Sequence, residues 1–335
     1  MRKQNVYLFI VSIVAVSLLS ADRIQAAPYY QGKTITMVVG YGPGGGYDRI
    51  SRLLAKHLRK HIPGNPAVIV QNMPGATSML AANYIYSIAR PDGFTIGIID
   101  RGLPLAQLLR AEGVRFDLRK FSWIGSAAVE STILCIRSDL PHRDCNDLLS
   151  AKEPIILGSV GPANTGHQFV LFLEQFAGLK SRQIVYPSSA DVILAIERKE
   201  VDGCALIYNS MKPHIERGLL RPVVRSRVSQ SGIERLPVNE DLTAQKMGKT
   251  LMGMLAVGDQ VGRPYLAPPG TPPAVMKLLR DGFAKVARDP ELREEAKRVM
   301  MEVQYLSAEE SLRVVSGLLD QPPEIVSEFG KYVRF

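Results

Sequence analysis

Apolar and polar positions along the chain alternate between the period of a strand and the period of a helix. Residues 34–39 form a short, largely β-branched run that reads as a buried strand. It stops in Gly40-Tyr41-Gly42-Pro43-Gly44-Gly45-Gly46, and a helical pattern over residues 47–61 follows, with Leu53, Leu54 and Leu58 on one face and Pro63-Gly64 closing it. Residues 67–70 are a second strand. Pro74-Gly75 makes a turn, and Thr77 or Ser78 is placed to cap a helix reaching about residue 89. After the tight turn Pro91-Asp92-Gly93, residues 94–99 form a third strand. Strands alternating with helices of this length predict parallel pairing with crossover helices. The alternation breaks near residues 121–125, and residues 129–136 read as one extended strand crossing into a second domain. There the pattern resumes, with strands at 154–157, 183–186, 203–207 and 220–225, a small-residue loop at 158–166, and helices at 167–177 and 190–199. Residues 251–257 read as a strand crossing back, and three helices opened by Pro or capping residues follow at 272–288, 290–299 and 308–319.

The predicted class is α/β with two domains. The first comprises residues 28–124 and 251–335, the second residues 125–250, each a mostly parallel sheet flanked by helices. Each domain carries a glycine-rich or small-residue loop leading from a strand into a helix. Backbone N–H groups collect at such a junction and suit an anion. Open α/β sheets bind ligands at the carboxyl ends of their strands, so two facing loops define one cleft.

Length and composition fit this picture. A chain of 335 residues suits two domains, and its 22% charged and 46% hydrophobic content is ordinary for a globular protein. The N-terminus is distinctive: Arg2 and Lys3 precede an apolar run over residues 6–19, and Ala26-Ala27 offers small residues for cleavage. That is the outline of a secretory signal peptide over residues 1–26, too short for the roughly 20 residues of a spanning helix. Losing Arg2, Lys3 and Arg23 together with Asp22 lowers the net charge from +9 to +7. The remaining positive charge is spread along the chain, which argues against nucleic-acid binding and for general attraction of anions. Cys135, Cys145 and Cys204 fit no zinc spacing. In an oxidising compartment Cys135 and Cys145 are candidates to pair; three buried thiols are the alternative, and the sequence leaves both open.

Catalytic chemistry is sparse. Gly40-Tyr41-Gly42-Pro43-Gly44-Gly45 matches the dinucleotide fingerprint formally, but no Asp or Glu lies between Asp48 and Asp92 to hold a ribose. No Gly-Lys-Ser/Thr follows the glycines, and no G-x-S-x-G elbow occurs. His57, His61, His142, His167 and His214 sit in helical or polar-turn patterns that need no catalytic role. Glu294-Glu295 and Glu309-Glu310 read as helix-surface charges, and Asp48 as a favourable charge in the first turn of its helix. No cofactor or metal is expected.

The motifs that remain resemble one family over nearly the whole chain after residue 28. Gly42-Pro43-Gly44-Gly45-Gly46-Tyr47-Asp48, Gln71-Asn72-Met73-Pro74-Gly75-Ala76, Pro91-Asp92-Gly93-Phe94-Thr95, Gly158-Ser159-Val160-Gly161, Val201-Asp202 and Ala267-Pro268-Pro269-Gly270-Thr271-Pro272 fall in the order found in the solute-binding receptors of tripartite tricarboxylate transporters, the Bug proteins. The resemblance implies a Venus-flytrap fold of the type II periplasmic-binding-protein kind, located in the periplasm. It also implies capture of a small carboxylate and its delivery to a permease of large and small membrane subunits, with the receptor acting as a monomer. The alternatives are a sensing role toward a kinase partner and, ranked below it, an exported enzyme. Carried over by position, Gly44, Gly45, Ala76 and Thr77 hold one end of the ligand, and Ser159, Asn164 and Thr165 face it from the second domain. Tyr41, Gly46, Asp48, Arg101 and Asn209 complete the expected binding set, with Arg101 either a cleft cation or a solvent-facing loop residue. Ala163-Asn164-Thr165 replaces the family's common Gly-Ser-Ser, and Leu206 stands where many relatives carry an Asp near the ligand. A cleft without that carboxylate favours a plain dicarboxylate or aromatic carboxylate over an amino acid.

Overall fold

The computed structural model describes residues 27–161 and 164–333. The expected signal peptide, residues 1–26, lies outside the described residues, as does Ala163. The first half runs β1 (Thr34–Val39), α1 (Gly46–Leu58), β2 (Ala67–Asn72), α2 (Met79–Ser87), β3 (Thr95–Ile98), α3 (Leu103–Leu108) and β4 (Ser122–Ser126). Then come β5 (Thr132–Arg137), α4 (Cys145–Leu149), β6 (Ile155–Ser159), α5 (Thr165–Ala177), β7 (Ser181–Val185), α6 (Ser189–Glu197), β8 (Gly203–Ile207), α7 (Tyr208–Glu216) and β9 (Leu220–Arg225). The chain returns through α8 (Lys246–Val261), β10 (Pro264–Ala267), α9 (Pro273–Val286), α10 (Pro290–Arg298), β11 (Leu306–Ser307), α11 (Ala308–Leu319) and α12 (Pro323–Phe329).

These strands form two sheets, ordered β11-β4-β10-β3-β1-β2 and β7-β6-β8-β5-β9. The β2-β1-β3 and β7-β6-β8 runs are parallel, as the alternation predicts. The strands that carry the chain between sheets add antiparallel pairs: β10 against β3 and β4, and β5 against β8 and β9. Each sheet is therefore mixed, and its parallel strands lead into the glycine-rich and small-residue loops.

Period-2 alternation in β1 serves both faces of its sheet. Ile35, Met37 and Val39 pack with Leu54 of α1 and Phe283 of α9, while Val38 points into the other layer with Ile85 of α2. That second layer is continuous into the other sheet through Leu134, Leu157 and Leu255, so one apolar core links the two halves. The opposite face of the second sheet has its own core around Ile133, Val192, Cys204 and Leu206.

One expectation is corrected here, and one open alternative is decided. Residues 251–257 are helical, inside α8, rather than a strand. An apolar run of that length fits a buried helix equally well, and α8 is apolar almost all round because it is wedged between α5 and α11. All three cysteines are free and buried. Cys135 stands opposite Cys204 on neighbouring strands, not beside Cys145. Burial pushes the Cys204 thiol up to about 12 and the Cys145 thiol up to about 11, so neither is a ready nucleophile.

Candidate functional site

The carboxyl ends of the parallel strands in both sheets open on one cavity of about 670 Å³. Tyr41 follows β1, Asp100 and Arg101 follow β3, Val160 follows β6, Pro187 follows β7, and Ile207 ends β8; all line it. Four helices begin at its wall. α1 starts behind Gly45 and Gly46, α5 behind Asn164, α6 at Ser189, and α7 behind Ile207. The N-cap positions of α1 and α7 carry no side-chain cap. Each helix N-terminus carries about half a positive charge on unsatisfied N–H groups, so the converging ends form an anion-favouring wall.

The glycine loop is held from behind by Asp48. Its carboxylate is 2% exposed and accepts hydrogen bonds from the Gly44 N–H at 2.8 Å, Arg52 Nε at 2.9 Å and Asn72 Nδ2 at 2.9 Å. Burial opposes its ionisation, but the donors from Arg52, Gly44 and Asn72 outweigh it and lower the group to about 2. Asp48 and Gly44 thus shape the loop from inside, and neither lines the cavity. Gly44 sits at φ 86, where a side chain is strained, and Gly46 approaches Arg263 so closely that a Cβ would lie 2.9 Å from Nη2. The turn after β2 is unusual: Ala76, Thr77 and Ser78 have φ of 45, 50 and 72 in succession. Thr77 reaches the cavity; Ala76 does not. Ser78 occupies the N-cap position of α2 without capping it, and its buried hydroxyl has no partner.

An aromatic and ionic layer forms one side. The rings of Tyr41 and Tyr47 stack at 4.7 Å, and the Arg263 guanidinium lies 4.3 Å from the Tyr47 ring centre. The Tyr41 hydroxyl donates to Asp100 Oδ2 at 2.6 Å, and the Arg101 N–H donates to the Tyr47 hydroxyl at 3.1 Å. Burial raises both phenols well above their ordinary range, with Asp100 adding to the effect, so they are neutral donors. Arg101 is neither a free cleft cation nor a solvent-facing loop residue. It is 7% exposed, lines the cavity, and its Nη1 donates to Asp259 Oδ1 at 2.5 Å. Burial alone would lower its pKa, but Asp259, Tyr47, Glu130 and Asp100 together outweigh burial and raise it. Asp259 also accepts from the Thr132 N–H at 2.8 Å, Thr132 Oγ1 at 3.0 Å and Ser226 Oγ at 2.5 Å. A second buried pair, Arg263 Nε to Glu130 Oε1 at 2.8 Å, lies alongside.

On the second sheet, Asn164 accepts from the Gly166 N–H at 2.9 Å, and both line the cavity with Thr165. α5 is seated tightly, since a Cβ on Gly166 would lie 1.9 Å from the Ala205 carbonyl oxygen. Ser159 stays behind the wall, its Oγ 2.8 Å from His167 Nδ1 and accepting from the Gly161 N–H at 3.2 Å. Burial lowers the His167 pKa, which keeps the ring neutral and lets the serine hydroxyl donate to it. Asn209 lines an adjoining cavity of about 230 Å³ with Arg263, and its Nδ2 lies 3.4 Å from Glu130 Oε2; its neighbour Ser210 reaches both cavities. Leu206 lines the main cavity as an apolar wall.

Of the expected residues, Tyr41, Gly45, Gly46, Thr77, Arg101, Asn164 and Thr165 are brought together at the cavity, while Gly44, Asp48, Ala76, Ser159 and Asn209 stand off it. Sequence reasoning missed Tyr47, Asp100, Thr132, Ser189 and Ser210. Position after a strand would have found Asp100; nothing local marks Thr132.

Comparison with known proteins bears on the fold and the family. A UPF0065 protein of Bordetella pertussis is 26% identical over 324 residues, covering 95% of this chain and 96% of that protein. A TctC solute-binding protein from Polaromonas, solved with no ligand, superposes with a TM-score of 0.71 at 20% identity, over 90% of this chain and 99% of that one. The R. palustris protein Rpa4515, solved with adipate, gives 0.69 at 20% identity over the same shares. The fold is the two-domain α/β fold of these binding proteins. The family model described as tripartite tricarboxylate transporter family receptor matches residues 50–330, and the chain belongs to that family.

Proposed function

We propose that the protein is an exported, non-catalytic receptor that captures a small organic carboxylate in the 670 Å³ cavity and delivers it to a two-subunit membrane permease. The observation that carries this is the convergence of four helix N-termini, drawn from both sheets, on one cavity. Gly45, Gly46 and Thr77 receive one carboxylate from the first domain, residues 28–124 with 251–335. Asn164 and Thr165 receive the other end from the second domain, residues 125–250. Tyr41 and Tyr47 offer a flat apolar surface beside them, and Leu206 and Val160 leave the middle of the cavity uncharged. Such a site suits a dicarboxylate or an aromatic carboxylate and gives a ligand ammonium group no partner on the Leu206 side. The adipate in the R. palustris protein, a dicarboxylate, supports the same class. The signal-peptide outline over residues 1–26 supports a periplasmic receptor, acting as a monomer without cofactor. Among the described residues no helix is long and apolar enough to cross a membrane.

Titration calorimetry against dicarboxylates, tricarboxylates, aromatic acids and amino acids tests this, with X-ray scattering to follow closure. Micromolar or tighter binding of one carboxylate class, at least tenfold weaker in Leu206→Asp, is the expected result. Silence across the panel would sink the proposal.

A further inference from the structure

A cluster on the far side of α1 takes no part in the carboxylate cavity. His57 lies in the last turn of α1 and His61 ends the 3-10 turn Arg59–His61 that continues it, so the two imidazoles are four residues apart on one side. Facing them is the start of α10, which presents Asp289, Glu291 and Glu295. His61 Nε2 is 2.7 Å from Asp289 Oδ2, and His57 Nε2 is 2.9 Å from Glu295 Oε2. One ligand atom each from His57, Asp289 and Glu291 lies within 4.8 Å of the other two. His57 and Asp289 are each 6% exposed, whereas Glu291 is open to solvent.

An imidazole nitrogen with two carboxylate oxygens at this spacing is a donor set for a borderline divalent cation such as Zn²⁺. The cluster lies between the C-terminal end of α1, whose dipole favours positive charge, and the N-terminal end of α10, whose dipole opposes it, so it is the gathered carboxylates that call for a positive charge. Lys60 now supplies that charge: its Nζ is 2.7 Å from both Asp289 Oδ2 and Glu291 Oε2. Its side chain is 39% exposed on a flexible stem, so the ammonium can swing into water. The other outer contacts suit a second layer of support. Glu295 fixes the His57 ring and is itself held by Lys56 at 2.8 Å; Asp289 Oδ1 accepts from the Glu291 N–H at 2.9 Å, and Oδ2, which His61 Nε2 also contacts, keeps a second lone pair for the cation once Lys60 leaves.

We propose that His57, Asp289 and Glu291 form a divalent-cation site in which Lys60 is the competing internal cation. A bound ion fastens the C-terminal end of α1 to α10, and α1 is the helix whose other end builds the glycine loop of the cavity. The site stands independently of the carboxylate reading.

The test is Zn²⁺ titration of the purified, metal-stripped protein, alongside Lys60→Met and Glu291→Gln variants whose folding is checked by circular dichroism. The expected result is one Zn²⁺ per chain, bound at least tenfold more weakly by Glu291→Gln and at least fivefold more tightly by Lys60→Met. Glu291 is exposed, so its variant keeps the fold. Binding that Glu291→Gln leaves unchanged would assign the ion to another histidine and overturn the proposal. So would equal affinity in Lys60→Met and the unmodified protein, or no binding in any of them.

Discussion

Arg101 shows how far a single residue's meaning depends on a partner that the local sequence does not display. A loop arginine after a strand is usually exposed. Here the guanidinium is buried against Asp259, which lies 158 positions away. The consequence is testable. Removing one partner of a buried pair leaves the other charge uncompensated, at a cost of about 3–5 kcal/mol. Arg101→Met is therefore expected to lose about 3 kcal/mol in urea unfolding, because Asp259 keeps the donors of Thr132 and Ser226. Arg101→Met combined with Asp259→Asn should lose less than the two single changes summed. Strict additivity would show that the pair is not coupled. Gly45, Gly46 and Thr77 line the cavity, and their position follows from a strand end and a turn. Arg101 was found but misjudged, and Glu130 with Arg263 was not found, because ion pairs between chain crossings leave no short-range pattern.

Among the elements, strands were the most legible: residues 203–207 and 220–225 coincide with β8 and β9. Apart from α8, whose apolar run reads equally as a strand, the helices that the pattern does not show are short or interrupted. α3 has six residues with a proline in its first turn, and α7 carries Pro213 inside it. The most informative element is α1, because Asp48 joins its first turn to the glycine loop through Gly44 and to β2 through Asn72. That carboxylate is lowered from 3.8 to about 2, so its contribution is complete above pH 4 and is lost as pH falls toward 2. Stability measured by urea unfolding should decline across that window. Asp48→Asn should be less stable near neutrality and show a shallower decline between about pH 4 and pH 2. An identical slope in the two proteins would mean that other carboxylates account for the acid sensitivity.

At the scale of the molecule, the two crossings between the sheets lie against each other and are tied along their backbones. The Ala127 N–H donates to the Arg263 carbonyl at 3.1 Å, the Arg263 N–H to the Ala128 carbonyl at 3.1 Å, and the Glu130 N–H to the Asp259 carbonyl at 2.9 Å. Both buried ion pairs flank this seam, and one of them, through Arg101, reaches the cavity wall. On the proposed receptor reading, closure bends the chain where it crosses, and the seam would couple closure to binding. Gly262 is its tightest point. It sits at φ 59, and a Cβ there would lie 1.8 Å from the Ala128 carbonyl oxygen, a backbone atom that cannot swing aside. Gly262→Ala must therefore push the crossings apart. Because the residue does not line the cavity, a purely local site would be indifferent to the change. The expected outcome is a loss of about 3 kcal/mol in stability, together with at least tenfold weaker carboxylate binding and a more open envelope by X-ray scattering. Unchanged affinity in a destabilised variant would place the bend elsewhere and confine the seam to a structural role.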